Sequence, residues 1–161
     1  MGRGPRIEVD HAGVGDNPRV DQVSHGATDV IHAGQEDPAA TIHQLVGGVD
    51  YAFEAAGQER TIQQAWSSLD VGGEAVVVGL MPHGATVTLN AGRFINEQVI
   101  RGCYFGSAHL QRDVPALADH YLAGNLLLDE LITRRVRLEE LNDAFGALRA
   151  GQGARSVLVL D

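Results

Sequence analysis

The chain has 161 residues, 44% of them apolar and 20% charged, with a net charge of −9. That is enough for one domain with a real core and excludes a disordered chain, while the acidic balance excludes nucleic acid as a partner, because duplex binding needs a basic face. No apolar run reaches the ~20 residues that span a bilayer, no signal-peptide core follows Met1, and the lone Cys103 excludes an internal disulfide, so a cytoplasmic protein with no membrane partner is expected.

Along the chain, Met1 to Ser24 read as an atypical, irregular segment. "RIEVD" is a short strand ending at Asp10, but Gly13, Gly15 and Pro18 fall where a helix would follow. Regular structure begins at His25. "TDVIHA" (Thr28 to Ala33) is a β-branched strand. "DPAATIHQLV" is a helix with Asp37 as N-cap and Pro38 at its first position, ended by Gly47 and Gly48. "VDYAFEA" is the next strand. "QERTIQQAWSSLD" places Ile62, Ala65, Trp66 and Leu69 at helical spacing, with Gly72 and Gly73 as its stop. "EAVVVGL" (Glu74 to Leu80) is the near-continuous apolar run of a strand buried on both faces. Strands alternating with helices across short connections specify a parallel α/β sheet.

Beyond Met81, "ATVTL" reads as an extra strand, "NAGRFINEQ" as a short helical piece and "VIRGCYFGS" as another strand. "RDVPALADHYLAG" is an amphipathic helix with Asp113 as its cap and Val114, Leu117, Ala118, Tyr121 and Leu122 on one face. "LITRRVRL" is a strand, "LEELNDAFGALRAG" a helix through Leu138, Leu141, Phe145 and Leu148 closed by Gly151, and "ARSVLVLD" a terminal strand.

In open parallel sheets, ligands sit beyond the carboxyl ends of the strands. Two of those ends are bare, "EAAGQ" and "VVVGLMP". Small residues there admit two readings: a floor on which a nucleotide lies against backbone, or room for close packing of strand and helix. His11, His25 and His32 invite a metal reading, but their spacing across an irregular segment argues against one, and His83 reads as a turn histidine.

"GGVDYAFEAAG", "GGEAVVVGLMP", "RGCYFGS" and "LDELITRRVRLEELNDAFGALRAGQGARSVLVL" together resemble the zinc-dependent alcohol dehydrogenases of the medium-chain dehydrogenase/reductase family, nearest its class III branch, from about Gly26 to Leu160. The resemblance implies an incomplete Rossmann-like parallel sheet with flanking helices, followed by a C-terminal α/β segment of the catalytic domain. It places His25 to Phe105 in the second part of the NAD-binding domain, and Gly106 to Asp161 in the segment that returns to the catalytic domain. It implies NAD as cofactor, with Ala56, Gly57 and Gln58 at the adenosine end and Val78, Gly79 and Leu80 beside the nicotinamide and its ribose. Cys103 and Phe105 would offer backbone groups to the carboxamide. Arg155 would reach the pyrophosphate, a task for which a guanidinium fork is suited, and Asp10 would hold the adenosine ribose hydroxyls. It also implies a homodimer through Ala85 to Arg101, since an edge strand is a template for pairing.

The departures are as informative. The G-x-G-x-x-G fingerprint expected between the first strand and helix is absent. The cysteine and histidine ligands of the family's zinc are absent too, and one cysteine with seven scattered histidines does not make a tetrahedral site. The expectation is therefore a truncated chain of NAD-dependent alcohol or aldehyde dehydrogenase lineage that is not catalytically competent alone. The alternatives are a non-catalytic nucleotide-binding or dimerising remnant, and a zinc-free quinone or enoyl reductase relative. Hydrophobic helix faces such as Leu117/Tyr121 and Leu141/Phe145 are expected to lie partly exposed.

Overall fold

The structure, a computed structural model, describes residues 7–10, 27–150, 152–153 and 155–160. Among the described residues, seven strands, all paired in parallel, form three separate ladders. The first joins β1 (Ile7–Asp10) to β2 (Asp29–His32), with Asp10 opposite His32. The second runs β3 (Val49–Glu54), β4 (Leu69–Val77), β5 (Val99–Gly102) in that order. The third pairs β6 (Arg134–Val136) with β7 (Ser156–Leu158). The incomplete Rossmann-like sheet followed by a smaller α/β segment is thus realised.

Helix α1 (Pro38–Val46) carries β2 to β3 and forms as its ends dictate. Asp37 Oδ1 accepts from the N–H groups of Ala39 at 2.9 Å and Ala40 at 3.3 Å, Pro38 takes the position that needs no donor, and Gly47 closes the helix at φ 81°. Its Ala39 and Ile42 are buried. Helix α2 (Glu59–Ser68) packs on α1, β3 and β4. The His43 ring spans Gly47 O and Ser67 O, tying the end of α1 to the end of α2.

The centre of the core is Trp66, Leu69 and Ala75, with Val49, Ala52, Leu89 and Ile100 packed around it. This explains one difference from the sequence reading. Helix α2 stops at Ser68, not at Gly72, because Leu69 already belongs to β4 and is sunk in the core at 1% exposure. Gly72 and Gly73 instead serve an irregularity in the ladder. Val49 faces Leu69, yet Tyr51 faces Glu74, so residues 70–73 are looped out. A Cβ on Gly73 would lie 2.8 Å from Val49 O.

A second difference is that "ATVTL" forms no strand. Residues 85–90 lie along α2, where Gln63 Nε2 donates to Thr88 O at 2.9 Å, Thr88 N donates to Glu59 Oε1 at 3.3 Å and Trp66 Nε1 donates to Asn90 O at 3.2 Å. Side chains have taken the backbone groups a ladder would use. The expected helical piece is a 3₁₀ stretch, Ala91–Asn96, and Gln98 Nε2 donates to Leu69 O and Asp70 O, anchoring it beneath β4.

Helix α3 (Leu110–Leu122) has His109 at its N-cap position, so Asp113 is not its cap. Asp113 lies inside the first turn and reaches back to accept from His109 N at 2.8 Å. The Arg112 guanidinium first, and that N–H second, hold its carboxyl below the usual carboxylate range. At the other end, the hydrogen bond from Tyr121 to Asp129 raises the phenol above its ordinary value. The apolar side chains of α3 and of α4 (Leu141–Arg149) are largely exposed, Val114, Leu117, Phe145 and Leu148 among them. That matches the exposure expected from sequence. Gly151, expected to close α4, lies outside the described residues. Among the described residues, no helix is long and apolar enough to cross a membrane.

Candidate functional site

The carboxyl ends of β3, β4 and β5 lie side by side and form one platform. Glu54 builds it. Its backbone oxygen accepts from Val78 N at 2.7 Å and Gly79 N at 3.0 Å, binding the exit of β4 to the exit of β3. Its side chain, 3% exposed, turns back into its own loop. There Oε1 accepts from Ala56 N at 2.8 Å, Gly57 N at 2.7 Å and the Thr61 hydroxyl at 2.6 Å. On the far side, Val77 O accepts from Cys103 N at 2.8 Å, which draws in the exit of β5.

The small residues are needed because the two loops interlock. A Cβ on Gly57 would lie 2.5 Å from Leu80 O, and one on Gly79 would lie 2.6 Å from both Gly57 Cα and Glu54 Oε2. Of the two readings of "EAAG", close packing is therefore observed, between loop and loop rather than strand and helix. It coexists with a floor, since Ala55 and Ala56 remain open to solvent on top of the interlocked backbones. Five of its donors are engaged: the N–H groups of Ala56, Gly57, Val78, Gly79 and Cys103 all have partners within the fold.

The surface of the platform is apolar. Leu80 is 92% exposed, and Val78, Tyr104 and Phe105 are exposed beside it. Tyr104 and Phe105 meet edge to face at 4.8 Å. Phe105 adopts φ 49° and Ser107 φ 53°, a conformation that is costly for side-chain-bearing residues and that clusters at ligand sites.

The structure thus brings Ala56, Gly57, Gln58, Val78, Gly79, Leu80, Cys103 and Phe105 together. Gln58 does so as the residue preceding α2, exposed and without a side-chain cap bond. Arg155 immediately precedes β7, where its backbone oxygen accepts from Thr133 N and Arg134 N and its own N–H donates to the Thr133 hydroxyl. Asp10 ends β1, with its side chain outside the described residues. His11 and His25 are also outside them, and the His32 ring is engaged locally, its Nδ1 accepting from Gly34 N. A cleft of about 570 Å³ opens beside the exit of β2, lined by Ala33, Gly34, Asp37, Arg60 and Gln64 among others, and none of the predicted residues lines it. Glu54 and Thr61 were not among the predicted site residues. The signal for Glu54 was its place as the one acid at the end of a strand before three small residues.

Residues 19–123 match the family described as zinc-binding dehydrogenase. Alcohol dehydrogenase-like 1 of Arabidopsis thaliana is 35% identical over 141 residues, covering 84% of this chain and 36% of that protein. Alcohol dehydrogenase class-3 of Cereibacter sphaeroides is 35% identical over 115 residues, covering 71% of this chain and 31% of that one. The crystal structure of benzyl alcohol dehydrogenase from Acinetobacter calcoaceticus superposes with a TM-score of 0.89 at 26% identity, covering 99% of this chain and 44% of that one. The chain spans about a third of the length of these curated relatives.

Proposed function

The chain belongs to the zinc-binding dehydrogenase family, and from that premise we propose that it supplies part of the nucleotide half of an NAD-dependent alcohol or aldehyde dehydrogenase of the cytoplasm. The observation that carries this reading is the apolar platform made by the exits of β3, β4 and β5. A flat, exposed apolar floor suits the faces of a nucleoside rather than a pyrophosphate. In this reading Ala56, Gly57 and Gln58 lie under the adenosine, and Val78, Gly79 and Leu80 beside the nicotinamide and its ribose. Cys103 and Phe105 face the carboxamide, Arg155 binds the pyrophosphate and Asp10 the ribose hydroxyls. When bound, nicotinamide would supply hydride chemistry, accepting hydride from an alcohol carbon or returning it to a carbonyl carbon; these residues would hold and orient the ring and keep water from its face. Residues 25–105 form the nucleotide-binding part and 106–161 the part that returns to a catalytic domain.

Zinc is a different matter. Among the described residues, no group of three histidine, cysteine or carboxylate side chains converges as a metal site would require. The described residues do not fit the metal, and no step is assigned to it.

A second reading, a dimerising nucleotide-binding module without catalysis of its own, is favoured by β5. Its outer edge has no partner among the described residues, and Val99 and Ile95 stand exposed near it, so residues 85–101 would form the dimer contact.

Calorimetry of NAD(H) binding to the chain, with Arg155→Ala as control, tests the nucleotide reading. Micromolar binding, about −8 kcal/mol, weakened tenfold by the substitution is the expected result. No heat at millimolar NAD(H) would refute it.

A further inference from the structure

The chain carries a net charge of −9 and only 12 basic residues. Yet Arg134, Arg135 and Arg137 crowd onto β6 and its end, and Arg155 directly precedes β7. Among the described residues the ion pairs are Arg101 with Glu74 and Arg112 with Asp113. The exposed side chains of Arg135 and Arg155 make neither an ion pair nor a hydrogen bond with any described residue. An acidic chain thus leaves two guanidinium groups of one small ladder unpaired.

Register brings the two together. Arg134 pairs with Ser156, Arg135 with Val157 and Val136 with Leu158. The same ladder takes in Arg155, whose backbone oxygen accepts from Arg134 N at 3.2 Å. Paired residues of neighbouring strands share a face, and successive residues alternate. Val136, 2% exposed, marks the inner face. Arg135 therefore stands on the outer face with Val157, and Arg155, two residues before Val157, returns to that face. Strands lie about 4.8 Å apart and rise about 3.3 Å per residue, which puts the two Cα atoms roughly 8 Å apart. Long side chains rooted at such points can meet on one small anion. Of the acids that follow β6, Glu140 is turned to the backbone, its Oε2 accepting from Arg137 N at 2.9 Å.

We propose that Arg135 is a second phosphate-binding residue beside Arg155, so that the outer face of the β6–β7 ladder is a clamp for a diphosphate, one guanidinium to each phosphoryl group. The proposal rests on the nucleotide reading in taking the pyrophosphate of the dinucleotide as that diphosphate. A guanidinium presents its N–H donors in a planar fork that matches two phosphate oxygens at once. Two unpaired forks on one face make a local positive potential on a chain that is negative as a whole. Orthophosphate fills one fork and leaves the other empty, so the clamp prefers the diphosphate. Arg135 binds and orients; hydride transfer does not pass through it.

Calorimetry on the full chain with three probes, NAD(H), inorganic pyrophosphate and orthophosphate, tests this. Pyrophosphate should bind about tenfold more tightly than orthophosphate and compete with NAD(H). Arg135→Ala should weaken both NAD(H) and pyrophosphate about tenfold, abolish the preference over orthophosphate, and leave the urea transition of Trp66 emission unmoved. NAD(H) binding that Arg155→Ala weakens and Arg135→Ala does not would overturn the proposal while the nucleotide reading stands. Pyrophosphate held no better than orthophosphate, or equally well by Arg135→Ala, would overturn it as well. Pyrophosphate bound through Arg135 without any binding of NAD(H) would refute the nucleotide reading and support the clamp. A chain that takes up none of the probes would overturn both.

Discussion

Replacing Glu54 by alanine is the sharpest test of the platform. The carboxylate satisfies two backbone donors and a hydroxyl through one oxygen. Thr61 has a second acceptor, Gln58 O at 2.9 Å, and loses little. The N–H of Ala56 lies in an exposed residue and finds water. That of Gly57 is buried and does not. Orphaning a buried donor costs about 1–3 kcal/mol, and the charged hydrogen bond lost with it adds to that, so Glu54→Ala should cost about 2–4 kcal/mol. In a chain of this length such a loss lowers Tm by about 10 °C. Glu54→Gln keeps an acceptor at the Oε1 position and should stay within about 1 kcal/mol of wild type. Trp66, the single tryptophan and 1% exposed, reports unfolding of the same sheet by its emission in a urea titration. An alanine variant within about 0.5 kcal/mol of wild type, or a glutamine variant as damaged as the alanine one, would refute the account, since both lie outside the cost of an orphaned donor.

Gly79→Ala should destabilise by about 1–3 kcal/mol because its Cβ meets backbone that cannot yield. Gly72→Ala, at φ 73° with nothing within 4 Å, should cost about 1 kcal/mol from backbone conformation alone; the two urea midpoints compare them. Asp37→Ala removes the cap of α1 and should cost about 1 kcal/mol in the same titration. Asp113 has its folded pKa depressed, so its contribution to α3 is present above the unfolded value of about 3.9 and is lost as pH falls through the folded one. Carboxyl-carbon NMR should show Asp113 titrating below the unfolded value, and Arg112→Ala should bring it back toward it.

Sequence was a good guide where the determinants are local. Asp37, Pro38 and Gly47 define α1 within a few residues of its ends, and the apolar run of β4 needs no partner to be recognised. It failed where a distant group decides. "ATVTL" alternates as a strand does, but Gln63, Glu59 and Trp66, about one helix away in sequence, hold its backbone. Asp113 is a good cap residue type, yet α3 starts three residues before it, at Leu110. Most of the platform was legible through its glycines. Glu54 was visible as an acid at a strand end, but its role appears only when two strand exits meet. Arg155 was placed by resemblance, and no local pattern around it marks it as a phosphate ligand.

The three ladders carry a consequence for how the molecule comes apart. Among the described residues, main-chain hydrogen bonding within each ladder does not run on into the next, and the middle one encloses the tryptophan-centred core. Such a chain melts in stages, its outer units opening at lower free energy than its centre. Calorimetry would record a broad endotherm, wider than a single van't Hoff step, while tryptophan emission would change only in its last part. The platform belongs wholly to the segment that opens last.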